Sequence, residues 1–343
     1  MKKTTKIILI GLGKVGREVL RQLKNLEIDY EIIGLADSSA CLVGEPLTMV
    51  QVNRAIQTKT EGRQLSEMQG SSNISHITQY FETDTIIVDT SAAQDLNWEP
   101  ALSRGCNLVF ANKNAHSAPW VEAASLYNQP RIRFESTVGA GLPVIATLRG
   151  LVQSGDKISR IEGVMSGTLG YICSQLEQVL SYSQAVKQAF EAGYTEPDTK
   201  DDLSGFDVLR KAIILARTAG WLLEKEDFQV EPMYDESLIG NSVSEFLENT
   251  PKLDQLYADH IKKAATEGKV LRYLATISPT GGSIGMKAVN RNSQLGALQG
   301  TGNYFAVYSH YYKDIPLVIS GPGAGIEVTA NGVLNDIIAL IHR

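Results

Sequence analysis

An apolar run that ends in three spaced glycines, KIILIGLGKVG from Lys6 to Gly16, constrains the fold more than any other segment. Lys6 to Ile10 reads as a buried strand, and Val15, Val19, Leu20, Leu23 and Leu26 then recur on one helix face. A strand that passes straight into a helix through Gly11, Gly13 and Gly16 uses its glycines for a tight turn, for close backbone approach to an anion and for close helix packing. The helix start offers amide donors to that anion. A second strand ends at Asp37, 21 residues after Gly16, where a carboxylate meets the ribose of a dinucleotide. Gly11, Gly13, Lys14, Val15, Gly16 and Asp37 are therefore the expected cofactor contacts. Ser38 and Ser39 follow Asp37 in place of an arginine, which favours NAD over NADP: the carboxylate bonds a 2′-hydroxyl and repels an added phosphate, which the serines solvate only in part.

Further strands at Glu31 to Ala36, Thr85 to Asp89, Asn107 to Ala111 and Ile132 to Glu135 make the first third an α/β, doubly wound parallel sheet. From about Val144 the order changes. A helix, a strand at Lys157 to Met165, a helix from about Leu169 and a block of strand-like segments between Val270 and Val318 indicate an α+β second domain. The last segment, GPGAGIEVTANGVLNDIIALI, repeats the pattern of a glycine-rich turn before an amphipathic helix with Val328, Val333, Leu334, Ile337 and Ile338. It is expected to return to the first domain. With 343 residues, more than one core usually accommodates, the expected division is a dinucleotide-binding domain 1–143, a substrate-binding and dimerisation domain 144–314 and the return 315–343.

A formal charge of −6 with dispersed Lys and Arg argues against nucleic acid or an anionic membrane as partner. Two lysines before Ile7 to Leu12 resemble a leader, but Lys14 interrupts that run and no cleavage site of small residues follows. Cys41, Cys106 and Cys173 form no CxxC pair, so a reducing, cytoplasmic setting is expected. The five histidines lack metal-ligand spacing.

The chemistry concentrates in AGYTEPDTKDDLSGFDVLRKAIILARTAG, Ala192 to Gly220. Its second half reads as a helix from Ser204, with Asp207 and Lys211 at i, i+4 beside an apolar stripe. Glu196, Asp198, Asp201 and Asp202 stand just before it. Three readings fit: a surface ion pair, a carboxylate metal site, or a substrate site in which carboxylates hold an ammonium and the lysine moves a proton. The last needs desolvation or a second cation to favour the neutral amine.

At these residues the chain resembles the homoserine dehydrogenases. The family's AGYTEPDP, DDLSG and D-x-x-x-K appear as AGYTEPDT, DDLSG and Asp207 to Lys211, departing only at Thr199. GLGKVG, ANK at Ala111, ESTVGAGLP at Glu135, MSGTLGY at Met165 and GPGAG at Gly321 recur in order, so the resemblance spans the chain. It implies a Rossmann-type first domain and reversible NAD(P)-dependent interconversion of L-aspartate 4-semialdehyde and L-homoserine, on the route to threonine, methionine and isoleucine. By the same resemblance Lys211 transfers the proton, Asp207 orients it or binds the substrate, and Lys113 is a second active-site lysine that also meets the nicotinamide. Glu196 and Asp202, with Tyr194, Gly167 and Thr168, hold the substrate. Thr90, Ser91, Gly323 and Glu327 join the cofactor contacts, and the carbonyls of Glu135, Val138, Ala140 and Leu142 ligate a monovalent cation, Na or K. A homodimer and the short, monofunctional form of the family are likewise implied. A sensor that binds dinucleotide without turnover is the competing class, and it has no use for the two lysines. No thiolate is required, unlike a semialdehyde dehydrogenase that captures its carbonyl on cysteine.

Overall fold

The computed structural model describes residues 4–342 apart from 45, 179, 236–239 and 241. Two compact units divide the chain: Met1–Gly141 with Gly325–Arg343, and Leu142–Ala324. Among the described residues no helix is long and apolar enough to cross a membrane.

The first unit holds one sheet of β1 (Thr5–Ile10), β2 (Tyr30–Ala36), β3 (Cys41–Val43), β4 (Ile86–Asp89), β5 (Asn107–Phe110) and β6 (Ile132–Arg133), in the order β3-β2-β1-β4-β5-β6. The pairings β2–β1–β4–β5–β6 are all parallel. The short edge strand β3, which sequence reading does not foresee, runs antiparallel to β2. Four residues, 37–40, separate the two strands, and a parallel crossover needs a dozen or more, so only a hairpin return is available. Ile7, Leu9, Leu35, Val88 and Val109 of the sheet pack with Val19, Leu20 and Leu23 of the helix Lys14–Leu23 and with Val333, Leu334 and Ile337 of the closing helix Ile326–Ile341. Burying each such side chain is worth about 1.5–3 kcal/mol, which explains why the chain's last helix returns to its first sheet.

The second unit holds β7 (Ile158–Val164), β8 (Phe228–Val230), β9 (Lys269–Ser278), β10 (Gly281–Asn290), β11 (Gly302–Ser309) and β12 (Leu317–Pro322), in the order β12-β11-β7-β9-β10-β8. All neighbours are antiparallel except β8 and β10. The helices Gly167–Glu177, Phe206–Thr218 and Asp254–Thr266 pack on β9. β12 is the edge strand of this sheet, and the first unit resumes only at Gly325, ten residues beyond the expected return at 315. The ladder explains the difference: Ala306 pairs with Val318 and Tyr304 with Ser320, so residues 317–322 complete the second sheet before the chain leaves it.

Candidate active site

In the first unit the expected cofactor residues gather at the carboxyl ends of β1, β2, β4 and β5, where the strand order reverses between β1 and β4 and an open α/β sheet places its ligand. Gly11 has φ 98°, and a Cβ there would overlap the backbone of Thr90 and Ser91. A Cβ on Gly16 would overlap the Gly11 carbonyl, so the helix starts hard against the turn. Gly13 differs: nothing lies within 4 Å of its Cβ position. Packing therefore does not require glycine at 13, whereas a ligand approaching the backbone does. Gly13 is also the N-cap of the helix, and no side chain caps it among the described residues, leaving its first-turn amides to an anion. This cradle fits a dinucleotide pyrophosphate. Lys14 is exposed and Val15 half-buried beside it.

Thr90 locks to the same turn, its hydroxyl donating to the Gly11 carbonyl at 2.6 Å. The Ser91 amide donates to Asp89 Oδ1 at 2.9 Å, and Asn112 Nδ2 donates to Asp89 Oδ2 at 3.1 Å. Burial pushes the Asp89 carboxyl up. Lys113 follows Asn112 off the end of β5, half-buried, and its carbonyl accepts the Ser117 amide and hydroxyl. The buried carboxyl of Asp89 thus ties Ser91 and the ANK segment into one assembly.

Asp37 is more heavily engaged than its position suggests. Oδ1 accepts from the Ser39 amide and hydroxyl and the Ala40 amide, and Oδ2 accepts from Lys59 Nζ at 2.6 Å and the Leu65 amide at 3.0 Å. Burial works to raise this carboxyl, yet the Lys59 ammonium, the Ser39 hydroxyl and the Leu65 and Ser39 amides together hold it well below the usual carboxylate range. Lys59, from the helix Met49–Thr60, is a site residue that sequence reading misses, because no periodicity links it to a residue 22 positions earlier.

The segment 135–140 packs on the closing helix. Asp336 accepts the Glu135 amide at 2.8 Å, and the Ser136 hydroxyl donates to the Thr329 carbonyl at 2.9 Å. Gly139 and Ala140 are both left-handed, at φ 78° and 56°, and Glu135, Val138 and Ala140 are buried. Gly332 carries no Cβ at this contact, and one built there would lie 2.8 Å from the Ala140 carbonyl. Glu327 is exposed in the first turn of the closing helix, and its carbonyl accepts Gln22 Nε2 at 3.1 Å.

In the second unit the acid-rich stretch folds as two helices, Thr199–Leu203 and Phe206–Thr218, where sequence reading expects one helix from Ser204. Gly205, at φ 75°, makes the break, and a Cβ there would overlap the Tyr273 hydroxyl. Lys211 Nζ lies 2.7 Å from Asp207 Oδ2 and donates to the Met165 carbonyl at 2.6 Å. Its side chain is 10% exposed, so this is no surface pair. Arg210 Nη2 also donates to Asp207, at 3.3 Å to Oδ1, while its guanidinium lies 5.3 Å from the centroid of the Phe206 ring. Two cations thus share one carboxylate. The i, i+3 spacing from Asp207 to Arg210 was the available signal for the second.

The Thr168 hydroxyl donates to the Tyr194 carbonyl at 2.6 Å and lies 3.2 Å from Asp202 Oδ1, and the Glu196 amide donates to Asp202 Oδ2 at 2.7 Å. Burial raises the Asp202 carboxyl; the Glu196 amide and the Thr168 hydroxyl oppose that, and the charges of Glu196 and Asp207 add to it. Gly167 opens the helix that carries Thr168, with Ser166 as N-cap. Not every acidic residue belongs to the group. Asp198 caps the short helix by accepting the Lys200 amide, and Asp201 is exposed. Tyr194 contributes its carbonyl, while its ring, 46% exposed, leans on Tyr171. Burial pushes the Cys106 and Cys173 thiols up to about 11, so neither is a thiolate at neutral pH.

A homoserine dehydrogenase family model matches residues 143–338. A bifunctional aspartokinase/homoserine dehydrogenase of Zea mays chloroplasts is 38% identical over 99% of this chain, which spans 38% of that protein's length. A homoserine dehydrogenase of Paracoccidioides brasiliensis is 34% identical, with 99% of each chain covered. Among solved structures, a hyperthermophilic archaeal homoserine dehydrogenase in complex with NADPH shares the fold with a TM-score of 0.75, covering 98% of this chain and 97% of that one at 22% identity.

Proposed function

Because the chain belongs to the homoserine dehydrogenase family, we propose that it catalyses the reversible NAD(P)-dependent reduction of L-aspartate 4-semialdehyde to L-homoserine, in the biosynthesis of threonine, methionine and isoleucine. The observation that carries the mechanism is the buried Lys211 ammonium. It has three N–H donors, of which Asp207 and the Met165 carbonyl take two. The third serves the substrate oxygen. As hydride reaches the aldehyde carbon, Lys211 gives a proton to the forming alkoxide and is reprotonated from solvent; homoserine oxidation runs the same steps backward. Asp207 fixes the lysine, with Arg210 on its other oxygen. Glu196 and Asp202 hold the hydroxyl and ammonium ends of the substrate, whose positive charge offsets the burial and the lesser repulsion that raise Asp202, and Gly167, Thr168 and Tyr194 line the same site. Lys113 is the second lysine of the reaction.

A bound nicotinamide dinucleotide supplies or accepts the hydride. Gly11, Gly13, Lys14, Val15 and Gly16 hold its pyrophosphate, Thr90, Ser91 and Lys113 its nicotinamide half, and Gly323 and Glu327 complete the contacts. Asp37 favours NAD, but Lys59 beside it offers an ammonium to a 2′-phosphate, so the preference is small and NADP is also used. A monovalent cation, Na or K, on the carbonyls of Glu135, Val138, Ala140 and Leu142 completes the proposal, supported by the oxygen-only donor set and the left-handed backbone at 139–140. The protein acts in the cytoplasm as a homodimer. The sheet face that bears Glu162, Thr276, Ala306, Tyr308 and Val318 is the surface for a second copy, because these residues share one side of the ladder and all but Ala306 stay partly exposed.

The test follows NADH and NADPH oxidation with L-aspartate 4-semialdehyde, in sodium, potassium and cation-free buffers, for wild type and Lys211→Ala. Turnover is expected with both dinucleotides, and the variant should lose about 10²- to 10⁴-fold in kcat, the usual worth of a positioned acid. A wild type inactive with either dinucleotide overturns the function. Near-normal turnover of the variant moves proton transfer away from Lys211. Light scattering at twice 37.4 kDa supports the dimer, and a monomer refutes it.

A further inference from the structure

Asn303 is fully buried in β11, yet neither its Oδ1 nor its Nδ2 has a hydrogen-bond partner among the described residues. A buried amide left this way is costly, and native folds keep such a group only for a reason. Its backbone is not at fault: Asn303 pairs with Gly321 across the ladder, and its carbonyl accepts the Ser320 hydroxyl at 3.0 Å. What covers the side chain is the glycine-rich loop after β12. A Cβ on Gly323 would overlap the Asn303 amide, so only glycine lets the loop lie on it. The next residue, Ala324, has its Cβ 3.9 Å from where a Gly167 Cβ would stand. Gly167 begins the helix whose Thr168 hydroxyl meets the Tyr194 carbonyl and Asp202. One continuous set of contacts therefore runs from an unpartnered amide, through Gly323 and Ala324, to the carboxylate cluster.

We infer that Asn303 is a positioning residue for the amino-acid substrate: its side-chain amide is a latch for residues 323–324, bonding a peptide group of that loop when substrate is bound. In the structure the loop covers the amide without bonding it. A peptide N–H or C=O turned toward Asn303 satisfies the buried group and fixes Ala324 against the start of the substrate helix. Asparagine suits the task because it both donates and accepts, so either side of a peptide can close the latch. This inference rests on the proposed function, since it concerns the same substrate site.

Asn303→Leu keeps the bulk and removes the latch. For the ligand-free variant the melting temperature should equal or exceed that of the wild type, because an unsatisfied amide has gone. The KM for L-homoserine should rise about tenfold, the loss of a hydrogen bond or two, with kcat within about threefold and a smaller rise in the KM for dinucleotide, which Gly323 also meets. A lower melting temperature with an unmoved homoserine KM makes Asn303 structural and overturns the inference, as does a rise confined to the dinucleotide KM. Should Asn303→Leu fail to fold, Gly323→Ala is compared in wild-type and Asn303→Gly backgrounds, since the Asn303 Cβ would also overlap the added methyl. The glycine change should raise the homoserine KM far more in the first, because the amide it strikes is absent from the second; equal effects overturn the latch. A wild type without turnover breaks the functional proposal, whereas an active wild type matched by its variants breaks only this inference.

Discussion

The glycine turn of the first unit and the lysine cluster of the second present opposite ways of building a site. In the turn, backbone does the work: Gly11, Gly13 and Gly16 lie within six residues and shape a cradle whose donors are main-chain amides. In the cluster, side chains and one distant carbonyl do it: Lys211 reaches Met165, 46 residues away, and Asp202 meets Thr168, 34 residues away. A site made of adjacent backbone is encoded where it stands, whereas a site made of converging charges exists only once the chain has folded.

The sharpest way to break this contrast is to add one methyl group to the turn. Gly11→Ala places a Cβ into Thr90 and Ser91 at a left-handed φ, so it should destabilise the protein by about 2–4 kcal/mol from strain and overlap. Gly13→Ala meets no neighbour and should leave the melting temperature within a degree or two while weakening NADH and NADPH binding about tenfold or more. Thermal scans paired with fluorescence titrations decide this. Equal losses of stability in the two variants would show that the second glycine, too, serves packing and not a ligand.

Asp37 of the first unit and Asp202 of the second are shifted in opposite directions, which predicts opposite responses to pH. Asp37 lies below its ordinary value of 3.8 in the folded protein, so its stabilisation is complete above that value and is lost as the pH falls through and below it. Asp202 lies above 3.8, so the folded state binds more protons there, and its contribution weakens as the pH rises past that value. Melting curves of wild type minus Asp37→Asn should therefore converge on acidification. Wild type minus Asp202→Asn should become more unfavourable to the wild type as the pH is raised from acid toward neutral. A common direction of change with pH for both differences would undo the comparison.

The smallest expected effect lies at Thr199, where the chain departs from the family pattern. Thr199 is the first residue of its short helix, and its hydroxyl is buried without a hydrogen-bond partner among the described residues. Asp198 before it is extended, at φ −99° and ψ 104°, which a following proline tolerates. Thr199→Pro should add about 0.5–1 kcal/mol, seen as a slightly higher melting temperature with kcat unchanged within about twofold. A loss of activity instead would mean that the short helix must move for the cluster to work.

Much of the first unit was legible because its signals are short-range. The strand ends at Ile10, Ala36 and Asp89 fall where sequence periodicity places them, and the glycine spacing announces the turn. The strand Cys41–Val43 escaped because three residues carry no period. In the second unit the i, i+4 pairing of Asp207 and Lys211 was readable, but the short helix Thr199–Leu203 and the break after it were not: the expected helix begins at Ser204, and only the approach of the Tyr273 hydroxyl shows why Gly205 must interrupt it. Asp37 was readable by position alone, and its five donors, Lys59 foremost, were hidden among residues up to 28 positions away.

By itself the sequence determined the strand–turn–helix at the amino end, the return of an amphipathic helix at the carboxyl end and the lysine with its i+4 carboxylate. Each of these depends on residues a few positions apart, whose geometry the local backbone dictates. Tertiary structure alone decided that Met165 gives Lys211 its second acceptor, that Lys59 occupies Asp37 and that the Asn303 amide lies unbonded beneath Gly323. Whether a polar group is satisfied once buried is a property of everything that surrounds it, and no spacing along the chain records what that will be.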